Sequence, residues 1–159
     1  MKAFVLLLSV FVALSVASAE PFVVIVRHAE KAANDSKDPD LSPTGHARAE
    51  TLARILKDSG ITAIFTTEFK RTQQTAAPTS TSTGVAPTTV PAKDIAGLVA
   101  KLRALKGNAL VVAHGNTIPD LVKALGIASP IQIPDEDYKE VFVVNLGERP
   151  QLLRLHFPE

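Results

Sequence analysis

The chain has 159 residues, 46% of them apolar and 21% charged, which suits one folded domain with a sizeable core. Lys and Arg number 17 against 16 Asp and Glu, so no global field draws it to nucleic acid or to an anionic membrane. With 5% aromatic residues and no tryptophan it offers no base-stacking surface, and with no cysteine it has neither a disulfide framework nor a thiol for lipid attachment.

The first nineteen residues are of a different kind. Met1-Lys2 is a short positive start, Ala3 to Val16 is almost wholly apolar, and Ala17-Ser18-Ala19 supplies a small-x-small cleavage pattern before Glu20. This is the pattern of a secretory signal peptide. The apolar stretch is shorter than the ~20 residues of a spanning helix, and no positive cluster follows it to stop transfer. The expectation is an exported protein, periplasmic or secreted, with residues 20–159 forming the mature domain and no membrane attachment after cleavage. Without Lys2 that domain carries 16 basic and 16 acidic residues and is formally neutral.

Phe22 to Val26 is an unbroken apolar run, mostly β-branched, that ends abruptly in Arg27-His28. Such a run reads as a strand buried on both faces in a parallel sheet, and such strands present functional groups at their carboxyl ends. Residues 29–41 are polar and long enough to cover a site. Ser42 and Pro43 then start a helix, with Ala49, Leu52, Ala53, Ile55 and Leu56 as its apolar stripe and Gly60 beyond its end. A second strand covers Ile61 to Phe65. A helix is predicted from about Glu68 to Thr81, with Glu68 against its positive N-terminus. One short strand is predicted around Val85–Val90, then an amphipathic helix over Asp94–Lys106. Ala109 to Ala113 is another doubly buried strand, ending in His114-Gly115-Asn116. A last helix runs from near Thr117 to Leu125, and Val141–Leu146 with Leu152–Phe157 form a hairpin. Strands alternating with helices give an α/β class with an antiparallel pair at one edge.

Two buried strands thus present Arg27-His28 and His114, and Arg71 falls in the first turn of the helix after the second strand. That turn favours anions through its free N–H groups and dipole. A neutral imidazole is a competent nucleophile toward phosphorus, and arginines supply fixed, bidentate donors for the charge on a transferring phosphoryl group. A second, protonated histidine would add a further donor. The scheme needs no metal or other cofactor. The two histidines are 86 positions apart and carry no neighbouring ligand spacing of a zinc or iron type.

These residues resemble a known family. Arg27-His28-Ala29-Glu30-Lys31 is similar to the Arg-His-Gly signature of the histidine phosphatase (phosphoglycerate mutase-like) superfamily, with alanine in place of the usual glycine. Asn34 matches the family spacing of Arg-His-Gly-x-Ser/Thr-x-x-Asn. Asp38-x-x-Leu41-Ser42-x-x-Gly45 resembles the start of the family's first helix. Lys70-Arg71-Thr72-Gln73-Gln74-Thr75-Ala76 and Val112-Ala113-His114-Gly115-Asn116-Thr117 resemble the segments carrying its second arginine and second histidine. Four motifs in order cover most of the mature chain.

The resemblance implies a three-layer phosphoglycerate mutase-like fold, with a mostly parallel central sheet, an antiparallel edge pair and helices on both faces. It implies that His28 becomes phosphorylated, that Arg27, Arg71 and His114 hold the phosphoryl group, and that Asn34 contacts the phosphate or the loop beside it. The acidic proton donor of larger members has no clear counterpart; Asp94 and Glu68 are the nearest candidates. A missing donor and a short chain are similar to small bacterial phosphohistidine phosphatases, whose substrate loses an imidazole.

The expected activity is hydrolysis of a phosphate monoester or phosphoramidate, so the partner is a small phosphorylated compound or a phosphohistidine protein. A mutase of the same fold is disfavoured because the chain lacks room for insertions enclosing a sugar phosphate. An exported module that binds phosphorylated ligands without turnover stays open. Substrate choice would fall to residues 29–40, 87–94 and 127–138, which carry no recognisable pattern.

Overall fold

The computed structural model describes residues 20–34 and 36–158; the signal segment expected over residues 1–19 lies outside them. β1 (Phe22–Arg27) is followed by α1 (Pro43–Leu56), β2 (Ile61–Thr66), α2 (Lys70–Thr83), β3 (Pro87–Thr89) and α3 (Ile95–Ala104). β4 (Asn108–Ala113), α4 (Ile118–Ala124), β5 (Glu140–Asn145) and β6 (Leu152–His156) complete the chain. The strands form one sheet in the order β3-β2-β4-β1-β5-β6. β1, β2, β3 and β4 run parallel, and β5 is antiparallel to both β1 and β6.

β1 is central because both of its faces are apolar. Val23 and Ile25 pack with Leu102 of α3 and Ile118 and Leu121 of α4. Val24 and Val26 point the other way, onto Leu52 and Leu56 of α1 and Ala76 of α2. This alternation makes three layers, and each fully buried aliphatic side chain stabilises them by roughly 1.5–3 kcal/mol. Among the described residues no helix is long and apolar enough to cross a membrane.

The start of α1 is docked tightly on the loop after β1. Ser42 accepts from Gly45 N–H at 3.1 Å, and Ser42 N–H donates to the Glu30 carbonyl at 2.8 Å. A Cβ on Gly45 would lie 2.2 Å from that same carbonyl oxygen, so only glycine fits. Ala49, Leu52, Ala53 and Leu56 face the sheet as expected, whereas Ile55 is 48% exposed. It sits about 100° around the helix from Leu56, beyond the edge of the stripe.

Boundaries differ from the sequence reading at α2, at β3 and at α3, which ends at Ala104 rather than Lys106. α2 begins at Lys70 rather than near Glu68, because the acceptor that starts it comes from elsewhere in the chain. Phe69 occupies the cap position without a side-chain acceptor, and the Asp38 carboxylate takes the Lys70 N–H at 3.1 Å. Glu68 lies outside the helix and accepts from Ala92 N–H at 2.8 Å. The helix continues past Thr81 to Thr83, where Gly84 at φ 71° ends it. The expected strand around Val85–Val90 shrinks to Pro87–Thr89, an exposed edge where a missing proline N–H is tolerated.

The sheet order also fixes where a ligand can sit. β1 and β4 are neighbours, yet the chain leaves β1 toward the α1 face and leaves β4 toward the α4 face. Diverging connections open a crevice at the carboxyl ends of adjacent parallel strands. Arg27-His28 and His114 are at those ends.

Candidate active site

The parallel register puts Arg27 beside Ala113, and His28 N–H donates to the Ala113 carbonyl at 2.9 Å. His28 and His114 are therefore side by side, with ring centroids 5.4 Å apart and planes at 64°. Both are buried, at 5% and 6% exposure.

Each imidazole is held by one nitrogen and keeps the other unbonded among the described residues. Nδ1 of His28 lies 2.8 Å from the Ala29 carbonyl oxygen. A carbonyl only accepts, so Nδ1 carries the proton and the Nε2 lone pair is left for attack. Nε2 of His114 lies 3.0 Å from Thr67 Oγ1, which is itself 3.0 Å from Thr72 Oγ1. The Thr72 hydroxyl is anchored at the start of α2 by the Phe69 carbonyl at 2.8 Å. The hydroxyl of Thr117 closes on the backbone N–H and carbonyl of His114, at 3.3 and 3.2 Å.

Burial sets the charge of both rings. It pulls His28 down to about 4 against the opposing hydrogen bond from Ala29, with Arg71, His114 and Arg27 adding in the same direction. Burial also pulls His114 down to about 4, aided by Arg71 and Arg27 and opposed by Glu68. Beside two arginines and out of water, His114 is neutral at pH 7 while no anion is bound.

Arg27 is held by neutral groups, whereas Arg71 is paired with a carboxylate. Arg27 Nη1 donates to the carbonyls of Pro134 and Asp137 at 3.0 and 3.1 Å, and its guanidinium lies 4.2 Å from the Tyr138 ring centroid. Its Nε is buried with no partner among the described residues. A buried donor left over beside an uncompensated charge is a place for an anion. Arg71 stacks on Phe69 at 4.4 Å and pairs with Asp38 at 3.5 Å.

The loop after His28 is stitched to α2. Ala29 N–H donates to Thr75 Oγ1 at 2.9 Å, and Leu41 N–H donates to Gln74 Oε1 at 2.8 Å. Ala29 is fully buried at an ordinary backbone φ, so the usual glycine is not needed there. Glu30 pairs with Arg48 of α1, which makes it a structural anchor rather than a substrate contact.

Of the five residues singled out from sequence, the structure brings together Arg27, His28, Arg71 and His114. It does not bring Asn34 to them: Asn34 is exposed, and its Oδ1 accepts from Ser36 N–H at 3.0 Å, as a turn residue does. Asp94 caps α3 through Gly97 N–H at 2.9 Å, so its carboxylate is committed to the helix. Glu68 bonds Ala92 and its own backbone N–H, which hold it below the usual carboxylate range. Sequence reasoning missed Thr67, Thr72, Phe69 and Tyr138. Phe69 had a visible signal, an aromatic two residues before Arg71, whereas Tyr138 comes from a loop with no pattern. Among the described residues no group of three or more His, Cys, Asp or Glu could hold a metal.

Residues 23–95 match the family model of the histidine phosphatase superfamily (branch 1). Over that segment the chain is similar to this superfamily. No curated protein matches it. Among solved structures, the chain is similar to the protein histidine phosphatase SixA complexed with tungstate, at 20% identity and TM-score 0.71, covering 85% of this chain and 96% of that one. It is also similar to a mycobacterial glucosyl-3-phosphoglycerate phosphatase, at 16% identity and TM-score 0.67, covering 89% and 100%. A candidate phosphohistidine phosphatase SixA from Agrobacterium tumefaciens matches at 18% identity and TM-score 0.64, covering 84% and 97%. At these identities the likeness is one of fold.

Proposed function

We propose that the chain is a histidine phosphatase that hydrolyses a phosphate monoester or phosphoramidate through a phosphohistidine on His28. The observation that carries the reading is the state of His28, a neutral ring whose proton is fixed on Nδ1 beside two arginines.

The steps follow from that geometry. The Nε2 lone pair attacks phosphorus, and the bond from phosphorus to the leaving oxygen or nitrogen breaks. Arg27 and Arg71, with the unbonded Nδ1 edge of His114, face the phosphoryl oxygens; a bound dianion would raise the affinity of both rings for protons. Water then attacks phosphorus, the P–N bond breaks, and inorganic phosphate leaves with the lone pair restored to Nε2. Neither Asp94 nor Glu68 is poised to protonate the leaving group. Loss of general-acid help typically costs ~10²–10⁴-fold, which favours substrates whose leaving group departs unaided, including phosphohistidine on a protein. The export pattern of residues 1–19 supports action outside the cytoplasm.

The same lack of an acid favours one second reading, a module that binds phosphorylated ligands without turnover. A panel of phosphate monoesters and phosphoramidates separates the two. The enzyme reading expects turnover that falls by more than about 10³-fold in His28→Ala. Normal turnover in that variant would refute the role of His28, and tight phosphate binding with no hydrolysis across the panel would favour the binding module.

A further inference from the structure

Of the described aromatic residues, Phe22, Phe65, Phe142 and Phe157 pack in the two large apolar cores, while Phe69 and Tyr138 belong to neither. Both are half-buried, and both stand at the candidate site in the same way. The Tyr138 ring lies 6.0 Å from that of His28 and carries the Arg27 guanidinium on one face. The Phe69 ring lies 5.3 Å from that of His114 and carries the Arg71 guanidinium on one face. Successive ring contacts thus run Tyr138, His28, His114, Phe69. An arginine covers one face of each outer ring, and neither residue is closed off from solvent. Open aromatic surface in a chain with one tyrosine and no tryptophan is costly to leave in water and suits an apolar group supplied by a ligand.

We propose that Phe69 and Tyr138 form a leaving-group subsite, and that the substrates preferred here carry a planar unsaturated ring, an arene or N-heteroarene, on the phosphorylated atom. The inference rests on the reading of Arg27, His28, Arg71 and His114 as a phosphoryl site. In-line displacement keeps the leaving group off the attacking imidazole, so it meets what rims the histidine pair. On both sides that rim is aromatic. An aromatic pair is worth about 3- to 10-fold in affinity beyond its buried area.

Binding of phenyl-, cyclohexyl- and methylphosphonate to the purified protein tests this without any chemistry step. The three share one head group and differ in whether they bear a planar ring, a puckered ring or a methyl. Phenylphosphonate is expected to bind about 10-fold tighter than methylphosphonate and about 3-fold tighter than cyclohexylphosphonate. Phe69→Leu and Tyr138→Leu should each cut the phenyl-to-methyl ratio by about 3-fold or more, and Tyr138→Phe should restore it. Residues that merely prop their arginines would weaken all three ligands equally, and a preserved ratio in the leucine variants overturns the subsite. Equal binding of the three by the wild type also overturns it, while leaving the phosphoryl site standing. If neither the phosphonates nor inorganic phosphate bind, the phosphoryl reading fails and the subsite with it.

Discussion

Nδ1 of His28 lies 2.8 Å from the carbonyl oxygen of Ala29, and that contact decides which nitrogen of the ring can attack. Ala29 N–H is itself held by Thr75 of α2, which fixes the residue that carries this carbonyl. Nitrogen NMR of the resting protein should therefore show His28 as the Nδ1–H tautomer with an unprotonated Nε2. An Nε2–H tautomer would contradict the assignment of the nucleophile.

The buried rings set the acid limb of activity. His28 attacks only when neutral, and with its affinity for protons pulled down to about 4 it stays neutral well below the ordinary value of 6.5. After correction for the substrate's own ionisation, kcat/KM should fall on the acid side near pH 4. Stability should follow the same sign. His28 and His114 bind protons less readily folded than unfolded, so their contribution is complete above about pH 6.5 and is lost as pH falls toward 4. Melting temperature against pH measures this; a stability that rises as pH drops from 6.5 to 4 would contradict it.

Thr67 links His114 to the start of α2, and Thr67→Val removes that link at almost constant volume. The change leaves Nε2 of His114 without its hydroxyl partner, while the Thr72 hydroxyl keeps the Phe69 carbonyl. The expected loss is about 1–3 kcal/mol of stability, measured by denaturant midpoint, with kcat down by roughly 10-fold from a misaligned ring. Thr67→Ser, which keeps the hydroxyl, should recover most of both.

Gly45 tests how firmly the loop after His28 is held. Its Cβ position is 2.2 Å from the Glu30 carbonyl, so Gly45→Ala must push α1 away from the loop two residues beyond His28. The expected cost is roughly 1–3 kcal/mol in stability, together with a lower kcat. An unchanged melting temperature would show that the loop yields freely.

The legible parts of this molecule are those in which one segment decides its own fate. Val23–Val26 and Ala109–Val112 are apolar on every residue, so each could only be a doubly buried strand, and the polar residues that follow had to lie at the sheet's carboxyl edge. Arg27, His28 and His114 were legible for that reason, and Arg71 by its place in the first turn of the helix after the second strand. What was hidden depends on partners distant in sequence. α2 starts at Lys70 because Asp38, 32 residues earlier, takes its first N–H. His114 is neutral because Arg27 and Arg71 surround it and the core dries it, which no local pattern encodes. Tyr138 reaches the site only because the loop before β5 returns to give Arg27 two carbonyls.

The central claim is a covalent bond between phosphorus and Nε2 of His28. Brief exposure of the protein to a radiolabelled phosphoryl donor, followed by rapid denaturation in alkali, tests it most directly. The account expects label that survives alkali, is lost in acid, maps to the peptide containing His28 and is absent from His28→Ala. Rapid turnover with no label on the protein, or equal labelling of the His28→Ala variant, would contradict it.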